Sequence, residues 1–187
     1  LSSAITALSE QGIICVCATG NESYTDAIPL PAGHPLSIAV NAISRDDSLA
    51  SFGNYGPWPN SPDLLCPGVD VPVVYYQGGY GVGSGTSAAT GYASGCVALM
   101  LQSDPNIRTG PGVVGIAPKS GVLIPGTIAN LRSRLLAYNR LIPNFPRDRQ
   151  GFGLIDLNSV LTGEPTPPIE PLASPAQGLV VLGIAVV

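Results

Sequence analysis

The stretch "GSGTSAATGYASG", residues 83–95, places Ser87 after a run of glycines and before a long apolar segment. Two chemistries suit a hydroxyl there: a nucleophile presented at a helix start, or a glycine-rich phosphate cradle. The cradle fails on its own requirements. A P-loop needs a lysine beside its last glycine, and the chain's one lysine is Lys119. A dinucleotide fingerprint needs its glycines directly after a strand and an acid about 20 residues on, whereas "GGYGVGSG" alternates glycine with other residues. The esterase elbow G-x-S-x-G fails at its last position, where Ala89 stands. The nucleophile reading meets its needs. In a first helical turn, unpaired N–H groups and the positive dipole end stabilise developing negative charge. A serine attacking an acyl carbon creates an oxyanion close to its own backbone N–H. The second donor is found in "ATGNES": Asn21 stands just past the C-terminal end of an apolar strand, where open α/β sheets place their sites.

The elements that position these two residues are legible as a pattern. "LSSAITALSE" reads as a helix. "GIICVCATG" and "PLSIAVNAIS" read as buried strands, so the order points to βαβ units and a parallel sheet. "DLLCPGVDVPVVYY" and "GGYGVGS" read as short strands joined by turns. Residues 86–102 read as a helix apolar nearly all round, hence central and buried. "TIANLRSRLLAY" puts Ile128, Leu131, Leu135 and Tyr138 on one stripe, an amphipathic helix, and "GFGLIDLNSVL" turns into a last short helix. "GEPTPPIEPLASPAQG" is an extended Pro-rich linker. The domain boundaries therefore fall at 1–163 for the α/β part, 164–177 for the linker and 178–187 for an apolar tail too short to span a bilayer.

Composition limits the partners. The 187 residues are 45% hydrophobic and 11% charged, with net charge −4. A typical soluble domain carries about 25% charged residues, so this interior is extensive or the chain is part of something larger. "LSSAITALSE" has no Met, basic n-region or cleavage pattern, so it reads as the middle of a helix in a longer protein. Arg45 is the sole basic residue before Arg108, and seven basic residues follow between Arg108 and Arg149. A nucleic-acid patch needs clustered Lys and Arg with interleaved aromatics; Arg132 and Arg134 instead read as the wet face of a helix, so these charges are a solvated surface and no nucleic-acid partner is expected. Cys15, Cys17, Cys66 and Cys96 lack metal-site spacing; they read as small buried hydrophobes, with a disulfide left open. No cofactor or metal is expected. His34 reads as a surface-loop residue rather than a base. Asp46 and Asp47 read as a polar turn, too few oxygens for a hard cation.

Five blocks together resemble the subtilisin-like serine proteases, the subtilases. "GTSAATGYASGCVALML" is similar to their serine block, and "GIICVCATGNES" to the strand that ends in the oxyanion-hole asparagine. "LPAGHPLSIAVNAISRDDSLASFGNYGP", "LLCPGVDV" and "GFGLIDLNSVL" resemble further segments of the family, and all five blocks occur in the family's order. The resemblance covers residues 1 to about 161. It implies the C-terminal part of a subtilisin-like α/β fold, a mostly parallel sheet flanked by helices with a central buried helix starting at the serine. It also implies a serine endopeptidase working through an acyl-enzyme, on peptide or protein substrates, outside the cell or at its surface. Ser87 corresponds to the nucleophile and Asn21 to the oxyanion donor. Gly85 and Thr86 allow the tight approach to the serine. Ala18, Thr19 and Gly20 line a wall of the pocket for the residue before the scissile bond. Leu30–Pro31 corresponds to a frequent cis peptide.

The departures bear on the same site. Gly91 and Tyr92 stand in place of the family's Pro and His, and Ala88 in place of its Met. Residues 108–126 look like an insertion. The family's aspartate and histidine blocks are absent and are expected upstream, so the 187 residues alone are expected to be inert. A non-catalytic scaffold of the same fold is the competing reading, and a continuation of the apolar tail into a membrane anchor is the competing reading of the C-terminus.

Overall fold

A computed structural model describes residues 1–104, 115–116, 123–124 and 133–164 of the chain. Helix α1 (Ser2–Glu10) buries Ile5 and Ser9 on one side. It stops where Gly12 takes φ +76, a left-handed conformation that closes a helix without a Cβ penalty. Strand β1 (Cys15–Ala18) follows, then β2 (Ser37–Ile43) and β3 (Leu64–Pro67). They form a parallel sheet in the order β1-β2-β3, with Cys15 opposite Ser37 and Val40 opposite Leu64.

β2 is buried along all seven residues, as a central parallel strand covered on both faces must be. β1, expected as a buried strand, is only half-buried along its length. The reason is topological: among the described residues it pairs on one edge alone. Strands β4 (Val71–Val74) and β5 (Tyr80–Gly83) form an antiparallel hairpin that leads into the helix start.

Helix α2 (Thr86–Ser103) crosses one face of the sheet. Ala89, Ala93, Cys96, Val97 and Met100 pack there against Ile38, Val40 and Ala42 of β2, in one core with Leu135 and Val160. Its opposite stripe is exposed and carries Gly91, Tyr92, Gly95 and Leu99. Among the described residues the helix is thus central to the core but covered on one side only, where its composition suggested burial nearly all round. A uniformly apolar helix gives no sign of which face a neighbour covers. Ile28 and Ala32 cover Ala39 on the other face of the sheet, and Ile142 packs with Ile43 and Leu65.

After α2, residues 115–116 and 123–124 pair as a short antiparallel ribbon; the rest of the expected insertion at 108–126 lies outside the described residues. Helix α3 is described over 133–137, with Leu135 wholly buried and Leu136 beside it; Ile128, Leu131 and Arg132 lie outside the described residues. Arg134 is a correction to the wet-face reading. It pairs with Asp104 at 2.9 Å, and its Nε and Nη2 donate to the carbonyls of Val160 and Leu161. It ties the end of α2 to the last turn of the final helix, where carbonyls lack intrahelical partners. Helix α4 (Arg147–Gln150) is one turn. Helix α5 (Leu157–Thr162) is capped by Asp156, which accepts from the Ser159 N–H, and ends on Gly163 at φ +74. The expected linker beyond Glu164 and the apolar tail 178–187 lie outside the described residues. No described helix is long and apolar enough to cross a membrane. All four cysteines are free thiols, and Leu30–Pro31 is cis.

Candidate active site

The C-terminal ends of the parallel strands bring two loops together. Past β1, the Thr19 N–H still donates to the Val40 carbonyl, which extends the pairing by one residue. Gly20 then turns with φ +100, a conformation natural to glycine, and delivers Asn21. Past β3, the Gly68 N–H donates to the Ile43 carbonyl, and the Gly85 N–H donates to the Gly68 carbonyl at 2.8 Å. A Cβ on Gly68 would crowd Ala42, Ala89 and the Gly85 backbone, so this glycine is what lets the helix start close onto the sheet. Helix α2 begins there.

Thr86 joins the two loops. Its N–H and its Oγ1 both donate to Asn21 Oδ1 at 2.9 Å, and Oγ1 accepts from the Gly20 N–H at 3.2 Å. A backbone N–H can only donate, so the atom facing it is the amide oxygen, and the Asn21 orientation is fixed. Nδ2 is therefore turned away from Thr86. It stands 3.6 Å from the point where a Cβ on Gly85 would lie, with Ser87 Oγ at 3.1 Å and the Ser87 backbone N at 3.8 Å from the same point. Ser87 Oγ and Asn21 Nδ2 thus lie no further apart than those two short distances end to end, well within the width of a helix. Ser87 and Asn21 are exposed while Thr86 is wholly buried. Among the described residues neither Ser87 Oγ nor the Ser87 N–H has a recorded hydrogen bond. A small space ringed by one hydroxyl and two free donors can hold the oxygen of a carbonyl under attack.

The other expected residues fall as follows. Ala18, the last residue of β1, and Gly20 are half-buried, whereas Thr19 is 1% exposed and turns its side chain inward. Its carbonyl accepts from Asn54 Nδ2 at 2.9 Å. His34 is placed elsewhere. It lines a cavity with Ser37 and Asp63, at the N-terminal ends of β2 and β3, and its Nδ1 accepts from the Leu36 N–H at 3.2 Å. Burial lowers its pKa. A seven-residue strand is about 20 Å long, and His34 and Ser87 stand at opposite ends of β2. Asp46 accepts from Ser44 Oγ and the Ser48 N–H, which lower its pKa, as a polar turn requires. Asp47 is engaged in a two-oxygen contact with Arg140 at 2.9 and 2.8 Å. Among the described residues no group of His, Cys, Asp and Glu could hold a metal. Burial raises the thiols of Cys17, Cys66 and Cys96, the last to about 11.

Sequence reasoning gave Thr86 a spacing role; its hydroxyl is what orients the Asn21 amide. It passed over Asn54 entirely, since an asparagine after a glycine reads as a turn residue.

The sequence model of the subtilase family, peptidase S8, matches residues 1–130. The minor extracellular protease Epr of Bacillus subtilis is 34% identical over 105 residues, which are 56% of this chain and 16% of that protein. Subtilisin NAT of Bacillus subtilis subsp. natto is 36% identical over 97 residues, 50% of this chain and 25% of that protein. Subtilisin Savinase of Lederbergia lenta is 34% identical over 106 residues, 57% and 38%. The solved structure of the prenylagaramide maturation protease PagA superposes with a TM-score of 0.68 at 25% identity, over 88% of this chain and 56% of that one. The chain thus spans well under two thirds of the length of each of these proteins.

Proposed function

Since the chain belongs to the subtilase family, we propose that it carries the nucleophile and the oxyanion site of a serine endopeptidase. The observation that carries this reading is the space beside Gly85, which Ser87 Oγ, Asn21 Nδ2 and the Ser87 N–H surround. Ser87 Oγ attacks a peptide carbonyl carbon and its proton passes to a base. The carbonyl oxygen, now an anion, accepts from Asn21 Nδ2 and the Ser87 N–H. The intermediate collapses with loss of the amine, which takes the proton, and leaves an ester on Ser87 that water hydrolyses. Losing one such donor costs ~2.7–4 kcal/mol of barrier, a magnitude measured on subtilisin itself. Ala18, Thr19 and Gly20 form one wall of the pocket for the residue before the scissile bond, chiefly through backbone, because the Thr19 side chain is buried.

The base is not His34, which stands at the far end of the sheet. The histidine and aspartate of the triad belong to polypeptide outside these 187 residues, and the chain by itself does not hydrolyse peptides. The catalytic part ends near Gly163, followed by the Pro-rich linker 164–177 and the apolar tail 178–187. We place the protein outside the cell or at its surface; the name of its relative, the minor extracellular protease Epr, supports the extracellular reading. Labelling by a serine-directed fluorophosphonate tests the reading: in the full-length natural protein the adduct is expected on Ser87, and an adduct elsewhere contradicts it.

A further inference from the structure

We propose that Asn54 is the positioning residue of the oxyanion donor, holding the backbone on both sides of Asn21 so that its amide faces Ser87. This rests on the reading of Asn21 given above. Asn54 is wholly buried, in the loop between β2 and β3. Its Oδ1 accepts from the Glu22 N–H at 3.1 Å and the Tyr24 N–H at 2.9 Å. Its Nδ2 donates to the Thr19 carbonyl at 2.9 Å and to Glu22 Oε2 at 2.6 Å. An asparagine side chain offers two donor hydrogens and two acceptor lone pairs, and all four are used, on residues that flank Asn21.

The backbone of Asn54 adds to the clamp. Its N–H donates to the Gly20 carbonyl at 3.2 Å, and its neighbours make two more rungs, Ser23 N–H to the Phe52 carbonyl and Tyr55 N–H to the Tyr24 carbonyl, each at 2.9 Å. The residue is itself held from the sheet. Asn41 of β2, buried, donates from Nδ2 to the Asn54 carbonyl at 3.3 Å. Two glycines make the approach sterically feasible: a Cβ on Gly20 would overlap Asn54 Nδ2, and one on Gly53 would overlap Asn41 Oδ1. Residues 21–27 are exposed, so little else fixes this loop. Thr86 fixes the head of the Asn21 side chain and Asn54 fixes its root. An oxyanion donor works because it is aimed before the reaction begins, and aim needs both ends.

Asn54→Asp keeps the shape and the two acceptor contacts. It replaces both donors with lone pairs, facing the Thr19 carbonyl and the Glu22 carboxylate. The test is a cycle in the full-length natural protein, with kcat and KM on a peptide substrate for Asn21→Ala, Asn54→Asp and the double variant. Asn21→Ala is expected to lower kcat by roughly 10²–10³. Asn54→Asp is expected to lower it by roughly tenfold or more with KM nearly unchanged, and to have no further effect once Asn21 is gone. An equal loss in both backgrounds, or none in either, overturns the positioning role and leaves Asn21 in place. An Asn21→Ala variant with undiminished kcat overturns the functional reading and this inference with it. Should Asn54→Asp fail to fold, amide exchange in the unaltered protein decides. The Glu22 and Tyr24 amides should exchange roughly tenfold or more slower than the Thr25 amide, and equal rates overturn the proposal.

Discussion

Gly85→Ala separates catalysis from folding at this site. Gly85 has φ 169 and ψ 155, extended backbone that any residue adopts, so the substitution carries no conformational penalty. Its new methyl would stand 3.1 Å from Ser87 Oγ, 3.6 Å from Asn21 Nδ2 and 3.8 Å from the Ser87 N. The closest of these contacts is tight, yet the atom it meets is a hydroxyl at the cleft surface that can rotate. That crowding costs about 1 kcal/mol. Loss of glycine's freedom in the unfolded chain offsets it by about 0.4–1 kcal/mol, so stability should be nearly unchanged. The effect on chemistry is of another size. An oxyanion must sit about 2.7–3.1 Å from its donors, and the methyl fills that volume. Blocking even one donor costs ~2.7–4 kcal/mol, or about 10²–10³ in kcat, and this methyl obstructs two. The assay is kcat/KM on a peptide amide beside the thermal midpoint, in the full-length natural protein. The expected result is a loss of at least about 10² with the midpoint within about 3 °C. A folded variant that keeps activity within about tenfold would refute the placement of the oxyanion.

Two further outcomes follow from burial and from the sequence. Burial raises the Cys66 and Cys96 thiols above 9.0, Cys96 to about 11. Above pH 9 the unfolded chain releases these protons while the folded chain keeps them, so stability is full below pH 9 and falls as pH rises above it, the Cys96 contribution being lost by about pH 11. Chemical denaturation across that range should show the fall, and a shallower one in Cys96→Ala; identical profiles would contradict it. Limited proteolysis should cut between Gly163 and Gln177 and leave a folded core, because Pro-rich chain favours an extended, solvated form. A core cut first, with that stretch resistant, would move the boundary.

What was legible in the sequence was what local pattern dictates. The run "SIAVNAI" is mostly apolar, without a polar alternation, because both faces of β2 are covered. The small residues before Thr86 mark where backbone closes on backbone, and Asp156 with Gly163 brackets α5 as a cap and a stop. Other features depend on partners far along the chain. Asn54 finds its contacts 30 to 35 residues upstream, and nothing in "FGNYG" announces them. Arg134 looked like a solvated charge on a helix face, and its fork in fact reaches carbonyls 26 and 27 residues on. The exposed stripe of α2 was hidden for the opposite reason, because apolar residues on every side leave no periodicity to read.

Ser87 as a nucleophile whose base lies outside these 187 residues is open to one direct test. The direct measurement is reaction with a fluorophosphonate, followed by peptide mass mapping, on the full-length natural protein and on residues 1–187 alone. A single adduct on Ser87 is expected in the full-length protein, absent in Ser87→Ala, and no adduct on the isolated chain. Rapid labelling of Ser87 in residues 1–187 alone would show that this chain carries its own base, and an unlabelled Ser87 in the full-length protein would show that it is not the nucleophile.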